Sequence, residues 1–209
     1  DAYLYDKYIY QHSFQVALYS IAIAKEMGYS YEDIRLIGIG AILHDVGKLL
    51  ISPDILLKPS NLTDEEYEEM KNHARYGFDL LRNLHSVSLL VAHCAFQHHE
   101  RIDGSGYPRG LVNNEIHPFA KIIAVADVFD ALTSNRIYRK KMLPSEAIAI
   151  IDNGNGMQFD AKVMQAFKRS VVHYANGSIV LLSDGRRGIV SKQNLVDVTR
   201  PWIRIFQEN

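Results

Sequence analysis

Ionisable side chains are embedded in the most apolar stretches of this sequence, and they constrain its fold more than any other feature does. Asp127 directly follows Ile122-Ile123-Ala124-Val125-Ala126, His44-Asp45 follows the apolar run Leu36 to Leu43, and His98-His99 ends another apolar stretch. A carboxylate in such a helix is costly to bury unless it is paired or ligates a metal. Imidazole and carboxylate without thiolate suit iron, manganese, zinc, cobalt or nickel. Adjacent residues on a helix diverge by about 100°, so a His-Asp or His-His pair at a helix end can point one side chain at each of two neighbouring ions. A lone helix histidine is more often an ordinary hydrogen-bonded residue than a ligand. Two His-containing pairs and an interior Asp bring the two readings level, and their spacing favours a two-metal site.

Periodicity reads as helix through most of the first 175 residues. Val16, Ala17, Ile21 and Ala24 mark a first helix that Gly28 stops. Ser30 followed by Asp33 caps a second, whose body Ile34 to Leu43 is apolar on nearly all sides and is expected to be central. Ser52-Pro53 opens a short helical turn. Thr63-Asp64-Glu65-Glu66 is a capping box with acidic residues where the helix dipole favours them. Helices follow over roughly 74–84 and 86–98, from Phe119 to Leu132, from Ser145, and after an Asp160 cap, with Asp103 to Pro108 a loop. About eight helices result. Beyond Asn176-Gly177 the period changes: Ile179 to Leu182, the turn Asp184-Gly185, Gly188 to Val190 and Trp202 to Phe206 read as a hairpin plus a third strand. The expected division is a helical domain over 1–175 and a small β extension over 176–209, too small to be stable alone.

Composition excludes several classes. With 209 residues, 47% of them hydrophobic, and 23 Lys and Arg against 24 Asp and Glu, the chain reads as one globular domain with an appendage, not a disordered segment. Near-zero net charge argues against sequence-independent nucleic-acid binding. The longest apolar run, Leu36 to Leu43, is far short of a bilayer. The start, Asp1 to Asp6, has no signal-peptide pattern, and the lone Cys94 fits a reducing compartment, so a cytoplasmic location is expected. The absence of an initial methionine suggests a fragment of something longer.

The motifs His44-Asp45-Val46-Gly47-Lys48 and His98-His99-Glu100-Arg101-Ile102-Asp103-Gly104-Ser105-Gly106-Tyr107-Pro108 resemble those of the HD-GYP family, a branch of the HD-domain metal-dependent phosphohydrolases. The likeness continues through Ile122 to Ser134 and Arg136-Ile137-Tyr138-Arg139 and covers roughly residues 8–170. It implies an all-α HD-domain bundle and hydrolysis of cyclic di-GMP, a bacterial second messenger, to pGpG or GMP. Carried over residue by residue, it implies that Asp45 bridges two ions, that His12, His44 and Asp127 serve one, and that His73, His98 and His99 serve the other. Iron or manganese is implied. Two metals about 3.5–4 Å apart can hold a bridging water, lower its pKa and clamp phosphoryl oxygens for in-line attack.

Lys48, four residues after His44 and expected on the same helical face, resembles a family lysine that neutralises transition-state charge. Arg136 and Arg139 match a phosphate-binding pair, suited to bidentate contact. In the Gly-Tyr-Pro loop, Gly104 and Gly106 permit positive φ and close backbone approach, Tyr107 can stack on a base or bond a neighbour, and Asp103 either orients a cluster histidine or fixes the loop. The family resemblance also implies contact with diguanylate cyclase-type partners through this loop. Tyr8 stands where three-metal members carry glutamate, so two ions are expected; Ile137 replaces a common proline. The competing readings are a cyclic-dinucleotide-responsive interaction module without useful turnover, and a hydrolase of another cyclic dinucleotide or nucleotide. Homodimerisation through the first helix is left open, since no clear heptad pattern supports it.

Overall fold

The computed structural model describes residues 2–134, 141–194 and 196–206, with side chains from Ile9 onward. Helix α1 (Ala2–Glu26) buries Val16, Ala17, Ile23 and Ala24 and packs against α2 (Tyr31–Leu43), α7 (Pro118–Thr133) and α9 (Ala161–Ser170). Gly28, at φ +77°, turns the chain out of α1, and Ser30 Oγ accepts from Asp33 N at 3.2 Å to start α2. Proline in the first turn and His117, whose Nδ1 accepts from Phe119 N, fix the start of α7.

The most enclosed helix is α7, not α2. Ile122, Ile123, Val125 and Ala126 of α7 are wholly buried, whereas Ile42 of α2 is 51% exposed. Helix α2 presents Ile37, Gly38, Gly40 and Ala41 to the core and turns Ile42 outward, a distinction the unbroken apolar run Leu36 to Leu43 does not carry. Each fully buried isoleucine of α7 contributes about 1.5–3 kcal/mol relative to exposure.

After α2 the chain tightens into a 3₁₀ turn, Val46–Leu50, and then forms α3 (Pro53–Leu56), α4 (Asp64–Lys71), α5 (His73–Arg82) and α6 (Leu89–Gln97). The Thr63–Glu66 capping box opens α4 with both reciprocal bonds present. Leu81 of α5 and Val91, Ala92 and Ala95 of α6 make a second core cluster, which Leu36, Ile39 and Leu43 of α2 join to the rest. Helix α8 (Pro144–Asp152) follows, and Asp160 caps α9 by accepting from Lys162 N and Val163 N. Among the described residues every helix except the four-residue α3 has eight residues or more, which gives the eight helices expected.

Strands β1 (Ile179–Leu181), β2 (Arg187–Lys192) and β3 (Trp202–Ile205) form one antiparallel sheet in that order, with Ile179 opposite Ile189 and Ile189 opposite Arg204. An irregularity between Val190 and Lys192 shifts the register of β2 against β3. Among the described residues no helix is long and apolar enough to cross a membrane.

Candidate metal centre

Five elements each bring ligand-type side chains to one interior point. His12 lies midway along α1 and Asp127 midway along α7; His44 and His98 are the C-caps of α2 and α6; His73 opens α5. Gly47 makes the last juxtaposition possible. A Cβ there would lie 1.9 Å from the His73 carbonyl oxygen and 2.4 Å from Gly77 N, so only glycine lets the 3₁₀ turn press against the start of α5. That approach sets Asp45 beside His73.

The two oxygens of Asp45 face different histidines. Oδ1 lies 3.4 Å from His73 Nε2 and 3.8 Å from His98 Nε2. Oδ2 lies 3.4 Å from His44 Nε2 and 3.8 Å from His12 Nε2. Asp127 Oδ1 closes the second set, 3.2 Å from His12 Nε2 and 4.0 Å from His44 Nε2. Asp45, His73, His98 and His99 form one group whose donor atoms lie within 4.8 Å of one another, and His12, His44 and Asp127 form another.

The outer ring atoms show how these side chains are aimed. His44, His73 and His98 donate from Nδ1 to the carbonyls of Ala41, Met70 and Ala95 at 2.6, 2.6 and 2.9 Å. A carbonyl can only accept, so each neutral ring carries its proton on Nδ1 and turns the Nε2 lone pair inward. His12 is held through Nδ1 by Asp130 Oδ2 at 2.6 Å, and Asp130 Oδ1 in turn accepts from Ser134 Oγ at 2.9 Å. His73 Nε2 and His98 Nε2 then face each other at 3.4 Å with no proton between them. Among the described residues, His44 Nε2 and Asp45 Oδ1 are buried without a hydrogen-bond partner. Inward lone pairs and orphaned acceptors around a shared carboxylate fit divalent cations.

Charge states agree with that fit. Burial pushes His99 down to about 3, and it likewise depresses His73 and holds His98 well below the usual histidine range. Burial works against ionised Asp45, yet Lys48 and His44 outweigh it and hold its carboxyl well below the usual range. For Asp127 the same outcome follows from His12 and His44. His12 differs: burial would lower it, but the hydrogen bonds to Asp127 and Asp130 win and raise it to about 9. A cation bound against Asp127 would displace that proton.

Lys48 reaches Asp45 Oδ2, but not from the helical face expected. Helix α2 ends at Leu43, and Lys48 lies in the 3₁₀ turn, three residues after Asp45, where i and i+3 side chains eclipse. Tyr107 stacks on His99, with centroids 4.6 Å apart at 28°, and meets His73 edge-on at 6.3 Å. It thus walls the cluster on the His99 side. Asp103 fixes the loop: its Oδ1 accepts from Ser105 N at 2.9 Å and Ser105 Oγ at 2.6 Å. Gly104 takes φ +82°, as expected, whereas Gly106 serves close approach, since a Cβ there would lie 2.3 Å from Arg101 N. Arg136, Ile137 and Arg139 lie outside the described residues, as does the side chain of Tyr8.

Two residues stand beyond the sequence reading. Asp130 is one; its signal was its position three residues after Asp127, on the same face of α7. The other is Glu100, which is buried and accepts from Arg109 N at 2.8 Å and Leu111 N at 2.9 Å, clamping the Gly-Tyr-Pro loop to the end of α6. Cys94 is buried in α6, and burial alone pushes its thiol up to about 12, as befits an unreactive core residue. Gly154 to Gly156 form a turn.

A helical bundle with a His/Asp cluster of this kind defines the HD-domain class, and the sequence model of the HD-domain family matches residues 4–163. The chain belongs to that family and, within it, to the HD-GYP branch. It is 39% identical over 201 residues to the cyclic di-GMP phosphodiesterase PA4108 of Pseudomonas aeruginosa, covering 96% of this chain and 48% of the relative. It is 44% identical over 148 residues to the cyclic di-GMP phosphodiesterase response regulator RpfG of Xanthomonas campestris, covering 70% and 39%. It is 38% identical over 160 residues to 3'3'-cGAMP-specific phosphodiesterase 3 of Vibrio cholerae, covering 77% and 35%. The chain thus spans about half the length, or less, of these relatives. Among solved structures, the HDG"Y"P protein Bd1817 of Bdellovibrio bacteriovorus shares the fold at TM-score 0.63 and 24% identity, covering 76% of this chain and 51% of that one. The Listeria monocytogenes PgpH HD domain, solved with cyclic-di-AMP, does so at TM-score 0.54 and 19% identity, covering 76% and 85%.

Proposed function

We propose that this domain is a metal-dependent phosphodiesterase that opens cyclic di-GMP, to pGpG or onward to GMP, at a centre for two divalent cations. The observation that carries the reading is the division of Asp45, one oxygen toward His73 and His98 and the other toward His12 and His44. The names of its relatives supply the substrate. Two cations, iron or manganese, would supply Lewis-acid activation of water and charge neutralisation at a phosphoryl group. His12, His44 and Asp127 would hold one and His73, His98 and His99 the other, with Asp45 shared.

The remaining roles fall to this chain's own side chains. Lys48, paired with Asp45 at the edge of the cluster, supplies positive charge where a phosphoryl group gains negative charge. Tyr107 excludes water from the His99 side and offers a ring beside the substrate. Arg136 and Arg139 bind phosphate, and Asp103 keeps the loop in its substrate-facing shape. Pro108 to Gly110 are exposed and form the surface offered to a cyclase-type partner. A cyclic dinucleotide messenger as substrate places the work in the cytoplasm.

Liquid chromatography after anaerobic incubation with cyclic di-GMP and ferrous or manganous ion tests the reading, with Asp45→Ala alongside. Accumulation of pGpG or GMP with the parent only is the expected result. Survival of the substrate in metal-loaded parent protein would leave a binding role. The 3'3'-cGAMP-specific relative favours a second substrate, and a parallel incubation with 3'3'-cGAMP decides between them.

A further inference from the structure

One ammonium group at the rim of the metal centre gathers three side chains around it. Lys71 ends α4, and its Nζ lies 2.5 Å from Glu68 Oε1, 5.5 Å from the centre of the Tyr67 ring and 5.9 Å from that of Tyr107. Tyr107 joins this group to the centre by direct contact, since its ring stacks on His99 at 4.6 Å and meets His73 edge-on. The chain joins them a second time. Asn72 alone separates Lys71 from His73, and Glu69 fixes that junction by accepting from Asn72 Nδ2 at 3.0 Å and from the Tyr76 hydroxyl at 3.3 Å.

Stability does not account for this arrangement. Tyr67 is 50% exposed and the Glu68 side chain 69% exposed. An ion pair so open to water contributes little to folding. What the last turn of α4 presents outward is an aromatic ring beside a carboxylate that an ammonium holds in place, all within five residues of one helix.

That combination matches guanine. Its N1–H and exocyclic N2–H groups are adjacent donors on one edge, so an acceptor-only carboxylate takes both in two parallel bonds, while a tyrosine ring stacks on the face of the base. Adenine carries a lone pair at N1, which a carboxylate repels, and no amino group at C2. We infer that Tyr67, Glu68 and Lys71 form a nucleobase subsite that selects guanine in the nucleotide whose phosphate lies at the metal cluster. Glu68 reads the base, Tyr67 stacks on it, and Lys71 keeps the carboxylate beside Tyr107. The inference rests on the phosphodiesterase reading for the presence of a nucleotide at the cluster. Cyclic di-GMP and 3'3'-cGAMP both carry guanine and both satisfy the subsite; cyclic di-AMP does not.

The test is calorimetric binding of GMP and, separately, of AMP to the full chain in manganous buffer, for parent, Glu68→Gln and Tyr67→Leu, with hydrolysis of cyclic di-GMP followed on the same preparations. The parent is expected to prefer GMP about tenfold or more. Glu68→Gln should remove most of that preference by weakening GMP alone, because its amide sets a donor against a donor of the base. Tyr67→Leu should weaken both nucleotides about tenfold and leave their ratio unchanged. Metal content equal to the parent's in both variants separates a base contact from a disturbed cluster. Both residues are largely exposed, so neither substitution touches the core, and either alone decides. A parent that binds neither nucleotide or binds the two equally, a Glu68→Gln protein with the parent's ratio, or a Tyr67→Leu protein with the parent's affinities overturns the inference. If Glu68→Gln removes the preference but the parent leaves cyclic di-GMP intact, the subsite stands and the phosphodiesterase reading fails; hydrolysis by a parent whose preference survives in Glu68→Gln has the opposite meaning.

Discussion

Asp130→Ala removes a carboxylate that lies outside both candidate ligand groups, yet it should unbalance the centre. Asp130 is 1% exposed, and its Oδ2 holds His12 Nδ1 at 2.6 Å, the geometry of a charge-assisted hydrogen bond. Such a bond contributes about 1.5–3 kcal/mol net, and loss of a carboxylate behind a ligand histidine lowers metal affinity about tenfold to hundredfold. The two figures agree, since tenfold corresponds to about 1.4 kcal/mol. The loss should be selective. His12 belongs with His44 and Asp127, and the His73, His98 and His99 side keeps its own carbonyl anchors. Metal analysis after dialysis against buffered manganous ion should therefore find one ion retained and the other depleted. Asp130→Asn, whose amide oxygen still accepts from Nδ1, should lie between parent and alanine. Parent-like retention of both ions by Asp130→Ala, or equal loss of both, would refute the argument.

Three further expectations follow from the same geometry. Lys48→Met should lower kcat about 10²-fold with metal content unchanged; an unchanged rate would remove Lys48 from the chemistry. Gly47→Ala places a Cβ 1.9 Å from the His73 carbonyl and should cost about 1–3 kcal/mol in denaturant unfolding, together with metal affinity on the His73 side. In chelator-treated protein, folding raises His12 from 6.5 to about 9, so the stability this gives, about 3 kcal/mol, is full below 6.5 and is lost as pH rises through 9. Folding depresses His73, His98 and His99, whose contribution is instead lost as pH falls below 6.5. Thermal melts across pH should therefore peak near neutrality, and a monotonic profile would contradict these assignments.

Much of this candidate centre is legible in the sequence because the side chains that could hold metal sit where helices end or where an apolar helix is interrupted. His44, His98 and Asp127 announce themselves as polar residues in apolar context, and caps such as Thr63 and Asp160 locate the helices that carry them. What the sequence hides are contacts that only packing creates. The His12–Asp130 bond joins residues 118 apart in the chain. Glu100 reads as one more charge in a motif until the loop folds back to place two backbone N–H groups on it. Helical periodicity carries α2 onward through Lys48, but the bundle needs Gly47 against α5, and that approach forces the tighter 3₁₀ turn. Burial of α7 in preference to α2 is likewise set by which helices surround each, since both carry long apolar runs.

A pair of cations sharing Asp45 is tested most directly by electron paramagnetic resonance of manganese-loaded protein, with metal content determined on the same sample. Two ions per chain and an exchange-coupled signal, replaced by the signal of isolated ions in Asp45→Ala, is the expected result. One ion per chain, or two that show no coupling in the parent protein, would contradict it.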